Sequence, residues 1–269
     1  MTVYAEVIGD PIAQSKSPLI HTFWAAKLGL DAAYRATYVV ADGLAEYIDA
    51  RTADPAWRGC NVTMPHKQAV LDLVEDPGGL RDTIGAVNTV FRGESGALIG
   101  TNTDAAGFAA PIADIALAGR SAVVVGSGGA ARAILFALAR LGTGPVTLLA
   151  RNALKGAALL SHFGLKGAVK PFDTALPPAA LLVNASPLGM AGHPPLDLDL
   201  TPLPDDALVY DIVYTPLETP LLQAAEARGL ETVDGLDMLV GQAALAFEIF
   251  FEHAPPREHD AELRQLLTS

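Results

Sequence analysis

The chain has 269 residues, 51% of them hydrophobic, with a mean hydropathy of +0.32, enough for one large or two modest cores. A net charge of −12 without any basic cluster argues against a nucleic-acid surface. No run reaches the roughly 18 uninterrupted apolar residues of a membrane span, no basic and apolar leader is recognisable, and the lone Cys60 excludes an internal disulfide framework and suits a reducing cytoplasm.

Val3 to Ile8 reads as a first strand, closed by the turn Gly9-Asp10-Pro11. Ser17-Pro18 then opens a helix, with serine as N-cap and proline at its first position. Leu19, Ile20, Phe23, Trp24 and Leu28 form its apolar face, and Gly29 stops it. A second strand, Tyr34 to Val40, is followed by a helix from Leu44 to Thr52. Gly59 to Val62 is a third strand, leading through Pro65 into a helix that runs to Val74. Val87 to Phe91 and Ala97 to Ile99, joined by a glycine-containing turn, read as a hairpin. Strands separated by helices predict a mainly parallel sheet with helices on both faces, so residues 1–103 form one α/β domain, with Cys60 a small core residue.

Asp104 to Gly119 reads as a connecting helix broken by Pro111. Ala122 to Val125 is a buried strand, after which Gly126, Gly128 and Ala131 fit G-x-G-x-x-G/A. Ile134, Leu135, Leu138 and Leu141 then recur at helical spacing up to Gly142. The small residues have distinct physical roles. Gly126 permits the turn, Gly128 lets backbone N–H groups approach a pyrophosphate, and Ala131 lets helix pack on strand. The helix N-terminus presents donors to phosphate. Strands follow at Val146 to Ala150, Ala168 to Lys170, Leu181 to Asn184, Leu208 to Asp211 and Glu231 to Val233, with helices expected between them. Residues 104–235 are therefore a Rossmann-type dinucleotide-binding domain. The proline-rich run from Pro194 to Pro204 is a loop. Asp237 to Phe251 is too apolar for a free tail, so residues 236–269 are expected to pack back on the first domain.

Arg151 follows the second strand of that domain, 25 residues after Gly126, where an NAD enzyme usually carries an acid for the ribose hydroxyl. Leu148-Leu149-Ala150 offers none, whereas Arg151 and Lys155 supply two cations for a 2′-phosphate. Charge-assisted bonds of roughly 1.5–3 kcal/mol would favour NADP over NAD by about ten- to a hundredfold; the competing reading is a solvated Arg-Asn turn. Asn61-Val-Thr-Met-Pro-His-Lys67 puts Lys67 in the first turn of a helix, where the macrodipole disfavours an ammonium by about 0.3–1 kcal/mol. A lysine placed only for stability belongs at the other end of a helix. Asn102-Thr103-Asp104 lies at the domain junction, where small-ligand clefts form. Asp104 fits either a partner for Lys67 or a helix N-cap. Ser15 and Ser17 offer two hydroxyls or merely a loop and a cap. Gln242 sits on an otherwise apolar face with Met238, Leu245 and Ile249, and a buried amide there needs partners. The six histidines lack metal-ligand spacing, so no metal site is expected.

Seven motifs appear in order: Gly9-Asp-Pro-Ile-Ala-Gln-Ser-Lys-Ser-Pro18, Asn61 to Lys67, Gly85-Ala-Val-Asn-Thr89, Asn102-Thr-Asp104, Gly126-Ser-Gly-Gly-Ala130, Asn184-Ala-Ser186 and Asp234-Gly-Leu-Asp-Met-Leu-Val-Gly-Gln242. Together they resemble the shikimate dehydrogenase family over nearly the whole chain. The resemblance implies an oxidoreductase that reversibly reduces 3-dehydroshikimate to shikimate with NADPH, in aromatic amino-acid biosynthesis. It implies Lys67 as the catalytic lysine and Asp104 as its partner, with Ser15, Ser17, Thr63, Asn88, Tyr214 and Gln242 holding substrate. It further implies Gly126, Ser127, Gly128, Gly129 and Ala130 at the pyrophosphate, Ala150, Arg151, Asn152 and Lys155 at the 2′-phosphate end, and Ile212 and Gly235 near the nicotinamide. Four positions depart from the family pattern. Ala150-Arg151-Asn152 replaces Asn-Arg-Thr/Ser, Lys155 replaces an arginine, Ala105 follows the Asn-Thr-Asp triplet, and Asp237 replaces a glycine. Two alternatives stay open: a quinate/shikimate dehydrogenase with broader substrate or NAD use, and a non-catalytic NADP or ligand sensor. The expected partner is a small-molecule substrate, with neither nucleic acid nor membrane, and a homodimer is one allowed assembly.

Overall fold

A computed structural model describes residues 2–268 of the chain. From the N-terminus the elements are β1 (Val3–Gly9), α1 (Ser17–Lys27), β2 (Ala32–Tyr38), α2 (Leu44–Thr52), β3 (Trp57–Val62), α3 (Leu80–Thr83), β4 (Thr89–Arg92) and β5 (Leu98–Thr101). They build a sheet ordered β2-β1-β3-β4-β5. β1 runs parallel to β2 and β3, while β4 and β5 add antiparallel, as the expected hairpin requires. Ile8, Cys60 and Val62 meet Leu44, Tyr47 and Ile48 of α2 in one core layer.

Three local expectations are corrected in this unit. Ser17 is the first helical residue of α1, not its capping side chain; Lys16 takes the N-cap place and its side chain makes no capping bond. The buried face of α1 comprises Ile20, His21, Trp24 and Ala25, whereas Leu19 and Leu28 are exposed. Apolar spacing alone does not register His21, which is buried by stacking on Tyr34, with ring centroids 3.9 Å apart. No α-helix begins at Pro65. Residues 64–68 form turns and Ala69–Asp72 is a short 3₁₀ turn, so the macrodipole argument for Lys67 drops out.

The second unit comprises α4 (Asp104–Ala109), β6 (Ala122–Val125), α5 (Gly129–Arg140), β7 (Val146–Leu149), α6 (Ala153–His162), β8 (Gly167–Lys170), β9 (Leu181–Asn184), β10 (Leu208–Asp211), α7 (Pro220–Ala227) and β11 (Glu231–Val233). Pro111 falls in a 3₁₀ turn that ends the α4 segment. The six strands are all parallel, ordered β11-β10-β9-β6-β7-β8, the doubly wound arrangement that splits around its first strand. Alternation along β6 sends Ala122 and Val124 into one core layer and Val123 and Val125 into the other. The helix expected between β8 and β9 is absent among the described residues, and the run Pro194 to Pro204 between β9 and β10 is a loop, as expected. Proline at Pro177, Pro178, Pro194, Pro195, Pro202 and Pro204 denies those segments helical hydrogen bonds.

α8 (Gly235–Phe251) and α9 (Asp260–Thr268) end the chain. The residues up to Thr103 group with those from Val240 onward, and Asp104–Leu239 form the other unit. Phe247 and Phe251 of α8 pack with His21, and Phe247 also with Trp24 of α1.

Candidate functional site

In the first unit Thr63, Asn88 and Thr103 lie where β3 and β5 end and β4 begins. Thr63 N–H donates to Ile8 O at 2.9 Å, and His66 N–H donates to Thr63 O at 2.9 Å, which closes the turn carrying Lys67. His66 is buried, and its Nε2 donates to Val39 O at 2.7 Å, so this histidine anchors the turn. Lys67 itself is half-buried, and its carbonyl accepts from Val87 N–H at 2.8 Å. That bond sets Lys67 beside the segment whose next residue is Asn88. The buried Asn88 donates from Nδ2 to Thr103 Oγ1 at 2.9 Å and to Gln242 Oε1 at 3.5 Å. Its Oδ1 accepts from Thr103 N–H at 2.7 Å. The lone polar residue of the apolar helix face thus finds partners 139 and 154 positions away.

Ser15 and Ser17 lie at the start of α1, where Ser17 N–H donates to Ser15 Oγ at 3.3 Å. Ser17 is buried and Ser15 half-buried, as is Thr63. Asp104, buried, is the first residue of α4 and of the second unit. Tyr214 also belongs to the second unit, and burial raises the pKa of its hydroxyl.

The glycine loop of the second unit has the conformations that a phosphate cradle demands. Gly126 has φ +108°, and a Cβ there would meet Ala185 O at 2.8 Å, so no other residue fits without strain. Gly128 is the N-cap of α5 and supplies no capping side chain; a Cβ on it would meet nothing within 4 Å. The N-terminus of α5 therefore carries no side-chain cap, and the loop fits a dinucleotide pyrophosphate. Ser127, Gly129 and Ala130 line the same loop, half-buried, and Ala131 is fully buried beneath it. Beyond β7, Ala150 is buried, while Arg151, Asn152 and Lys155 are exposed. Asn152 caps α6 by accepting from Lys155 N–H at 2.9 Å, which gives its side chain a structural role and holds Lys155 in the first helical turn. Gly235 lies against Ile212, since a Cβ there would meet Ile212 O and Val213 O at 2.5 Å. Asp237 is exposed.

Two polar networks escaped sequence reasoning. Asp211, fully buried at the end of β10, accepts from Asn184 Nδ2 at 2.9 Å, Val213 N–H at 3.0 Å and Thr219 Oγ1 at 2.7 Å. Burial pushes its carboxyl up to about 6 against those stabilising bonds. Asn61 and Thr89, both buried, join Tyr34 to Asn88. The available signal was a polar residue interrupting an otherwise apolar strand, which needs a partner wherever the strand is covered on both faces. Among the described residues, no group of three or more His, Cys, Asp or Glu is arranged to hold a metal ion, and no helix is long and apolar enough to cross a membrane.

A family model described as the shikimate dehydrogenase substrate binding domain matches residues 7–90, and one described as the shikimate 5′-dehydrogenase C-terminal domain matches residues 235–262. A Sphingopyxis alaskensis protein named shikimate dehydrogenase (NADP(+)) is 67% identical over 266 residues, covering 99% of this chain and 97% of its own. The crystal structure of shikimate 5-dehydrogenase from Thermus thermophilus, in complex with NADP(H) and shikimate, is 36% identical with a TM-score of 0.86, covering 98% of this chain and 99% of its own. Quinate dehydrogenase from Corynebacterium glutamicum, in complex with NAD, is 31% identical with a TM-score of 0.87 and the same two coverages, 98% and 99%.

Proposed function

The chain belongs to the shikimate dehydrogenase family, and we propose on that premise that Lys67 and Asp104 manage the proton of its reaction. The reaction is the NADP-dependent, reversible reduction of 3-dehydroshikimate to shikimate, a step of aromatic amino-acid biosynthesis. NADPH, when bound, supplies the hydride. Lys67 Nζ donates a proton to the oxygen on which negative charge develops, and withdraws it in the reverse direction. Asp104 orients the lysine and the reacting hydroxyl. Asn88, Gln242, Ser15, Ser17, Thr63 and Tyr214 hold the carboxylate and hydroxyls of the substrate. Residues Gly126 to Ala130 receive the pyrophosphate, Arg151 and Lys155 the 2′-phosphate, with Ala150 and Asn152 shaping that end, and Ile212 and Gly235 border the nicotinamide. Residues 1–103 with the C-terminal helices serve as the substrate unit, and the six-stranded unit serves the cofactor.

The observation that carries this reading is the bond from Val87 N–H to Lys67 O, 2.8 Å, which ties the lysine to the buried Asn88, Thr103 and Gln242 cluster. A lysine whose backbone is tied to paired amides and hydroxyls suits a polyhydroxylated ring and its carbonyl. The assay follows reduced nicotinamide absorbance with shikimate or quinate as substrate and NADP or NAD as acceptor. Turnover with shikimate and NADP is expected; faster turnover with quinate supports the broader dehydrogenase reading instead, and cofactor binding without turnover supports a sensor. Replacing Lys67 with alanine should lower kcat by about 10²–10⁴-fold while leaving KM little changed. Near-full kcat in that variant removes Lys67 from the proton role. A cytoplasmic setting accords with Cys60, a buried free thiol.

A further inference from the structure

Behind Asn88 the structure holds a directed chain of side-chain hydrogen bonds that reaches into the parallel half of the five-stranded sheet. Tyr34 OH donates to Asn61 Oδ1 at 2.6 Å. Asn61 Nδ2 donates to Thr89 Oγ1 at 3.0 Å, and Thr89 Oγ1 donates to Asn88 Oδ1 at 3.0 Å. The hydroxyls of Tyr34 and Thr89 can serve either direction, and backbone groups fix the two carboxamides: Thr103 N–H donates to Asn88 Oδ1 at 2.7 Å, and Asn61 Nδ2 donates to Asn88 O at 3.4 Å. All four residues are buried, where a reversed amide would leave donors facing donors.

The chain continues toward the ligand side. With Oδ1 committed to Thr89 and to Thr103 N–H, Asn88 turns Nδ2 toward Thr103 Oγ1 and Gln242 Oε1. The hydroxyl of Thr103 in turn has two acceptors for its proton, Asn88 Oδ1 at 3.3 Å and Gln242 Oε1 at 3.5 Å. Gln242 therefore keeps Oε1 toward these donors, which makes Nε2 the atom it offers elsewhere. The origin of the chain is held mechanically as well. The Tyr34 ring is stacked on His21 with a 5° angle between planes, and Phe250 lies at 6.4 Å.

We propose that Thr89 is a positioning residue: its hydroxyl, with Asn61 and Tyr34 behind it, sets the orientation of the Asn88 carboxamide and, through Thr103, that of Gln242. This rests on the substrate-holding role given above to Asn88 and Gln242. Thr89 itself is fully buried, and it acts on the hydrogen-bond pattern that a hydroxylated ligand meets.

Steady-state kinetics of the full chain test this with Thr89→Val, which keeps shape and strand propensity and removes the hydroxyl. One net hydrogen bond corresponds to about a 2–10-fold change in an equilibrium. KM for shikimate should rise by about that factor while KM for NADP and kcat hold. Thr89→Ser should restore the wild-type value, and Tyr34→Phe should raise the same KM by less. An unchanged KM for shikimate in both Thr89→Val and Tyr34→Phe overturns the proposal. So does a uniform fall in kcat, both KM-derived affinities and melting temperature that serine fails to rescue, which marks a purely structural threonine. If Thr89→Val fails to fold, Thr89→Ser and Tyr34→Phe decide by the same measure. A wild-type chain inactive on shikimate overturns the family-based reading itself, and this inference with it.

Discussion

Asp211→Asn should make the protein more stable at neutral pH and less stable in mild acid. Asp211 is fully buried and is bonded to three neutral donors. Burial raises its folded pKa from an ordinary 3.8 to about 6, although the bonds from Val213, Thr219 and Asn184 oppose the rise. Between those two values the folded state binds more protons than the unfolded state, so this group's contribution to stability falls as pH rises. At 1.36 kcal/mol per pKa unit, the ionised carboxylate above pH 6 costs about 3 kcal/mol relative to the protonated form. Asparagine keeps an acceptor for Val213 N–H and Asn184, and Thr219 can turn its hydroxyl to accept. That exchange weakens the bonds by about 1 kcal/mol. Unfolding in urea at several pH values from 4 to 8 measures both proteins. The variant should be about 0.5 kcal/mol less stable at pH 4 and about 2 kcal/mol more stable at pH 7.5. Taking the difference between proteins cancels the other carboxylates. A difference that stays flat across this range, or grows toward acid, refutes the argument that burial dominates at Asp211.

Glu6 carries the opposite sign. Burial alone would raise its pKa, but hydrogen bonds from Arg51, Thr37, Tyr47 and Arg35 outweigh it and hold the carboxyl at about 2. Its stabilisation, about 3 kcal/mol from the gap to an ordinary 4.5, is present above pH 4.5 and lost as pH falls toward 2. In Glu6→Gln this acid-sensitive component should vanish and Arg51 should lose its partner, lowering the urea midpoint at pH 7; an unchanged midpoint argues that the cluster is energetically neutral. Arg151→Gln should shrink the ratio of kcat/KM with NADP to that with NAD by about ten- to a hundredfold. A ratio equal to wild type would return Arg151 to a solvated turn.

Element type was legible wherever a local cause decides it. A β-branched run announced β6 and short apolar runs β9 and β10, and the helix over Gly129–Arg140 is closed by Gly142, whose φ is +69°. Gly126 was equally readable, because a positive φ before a helix has few other occupants. The turn bearing Lys67 was not. Proline after a strand is compatible with a helix start or with a turn, and here the side-chain bond from His66 to Val39 O helps hold the turn. The buried identity of His21 and the capping role of Asn152 were likewise hidden, since each follows from what lies opposite the residue.

By itself, then, the amino-acid order determined which segments become strands, where the glycine turn between β6 and α5 lies and which polar residues demand explanation. Only the tertiary structure decided how those demands are met. Tyr34 reaches Asn61 across 27 residues, and Asn88 reaches Gln242 across 154. A buried polar atom must find a partner, but its partner is chosen by which strands become neighbours, and that depends on the packing of the whole unit rather than on any local pattern.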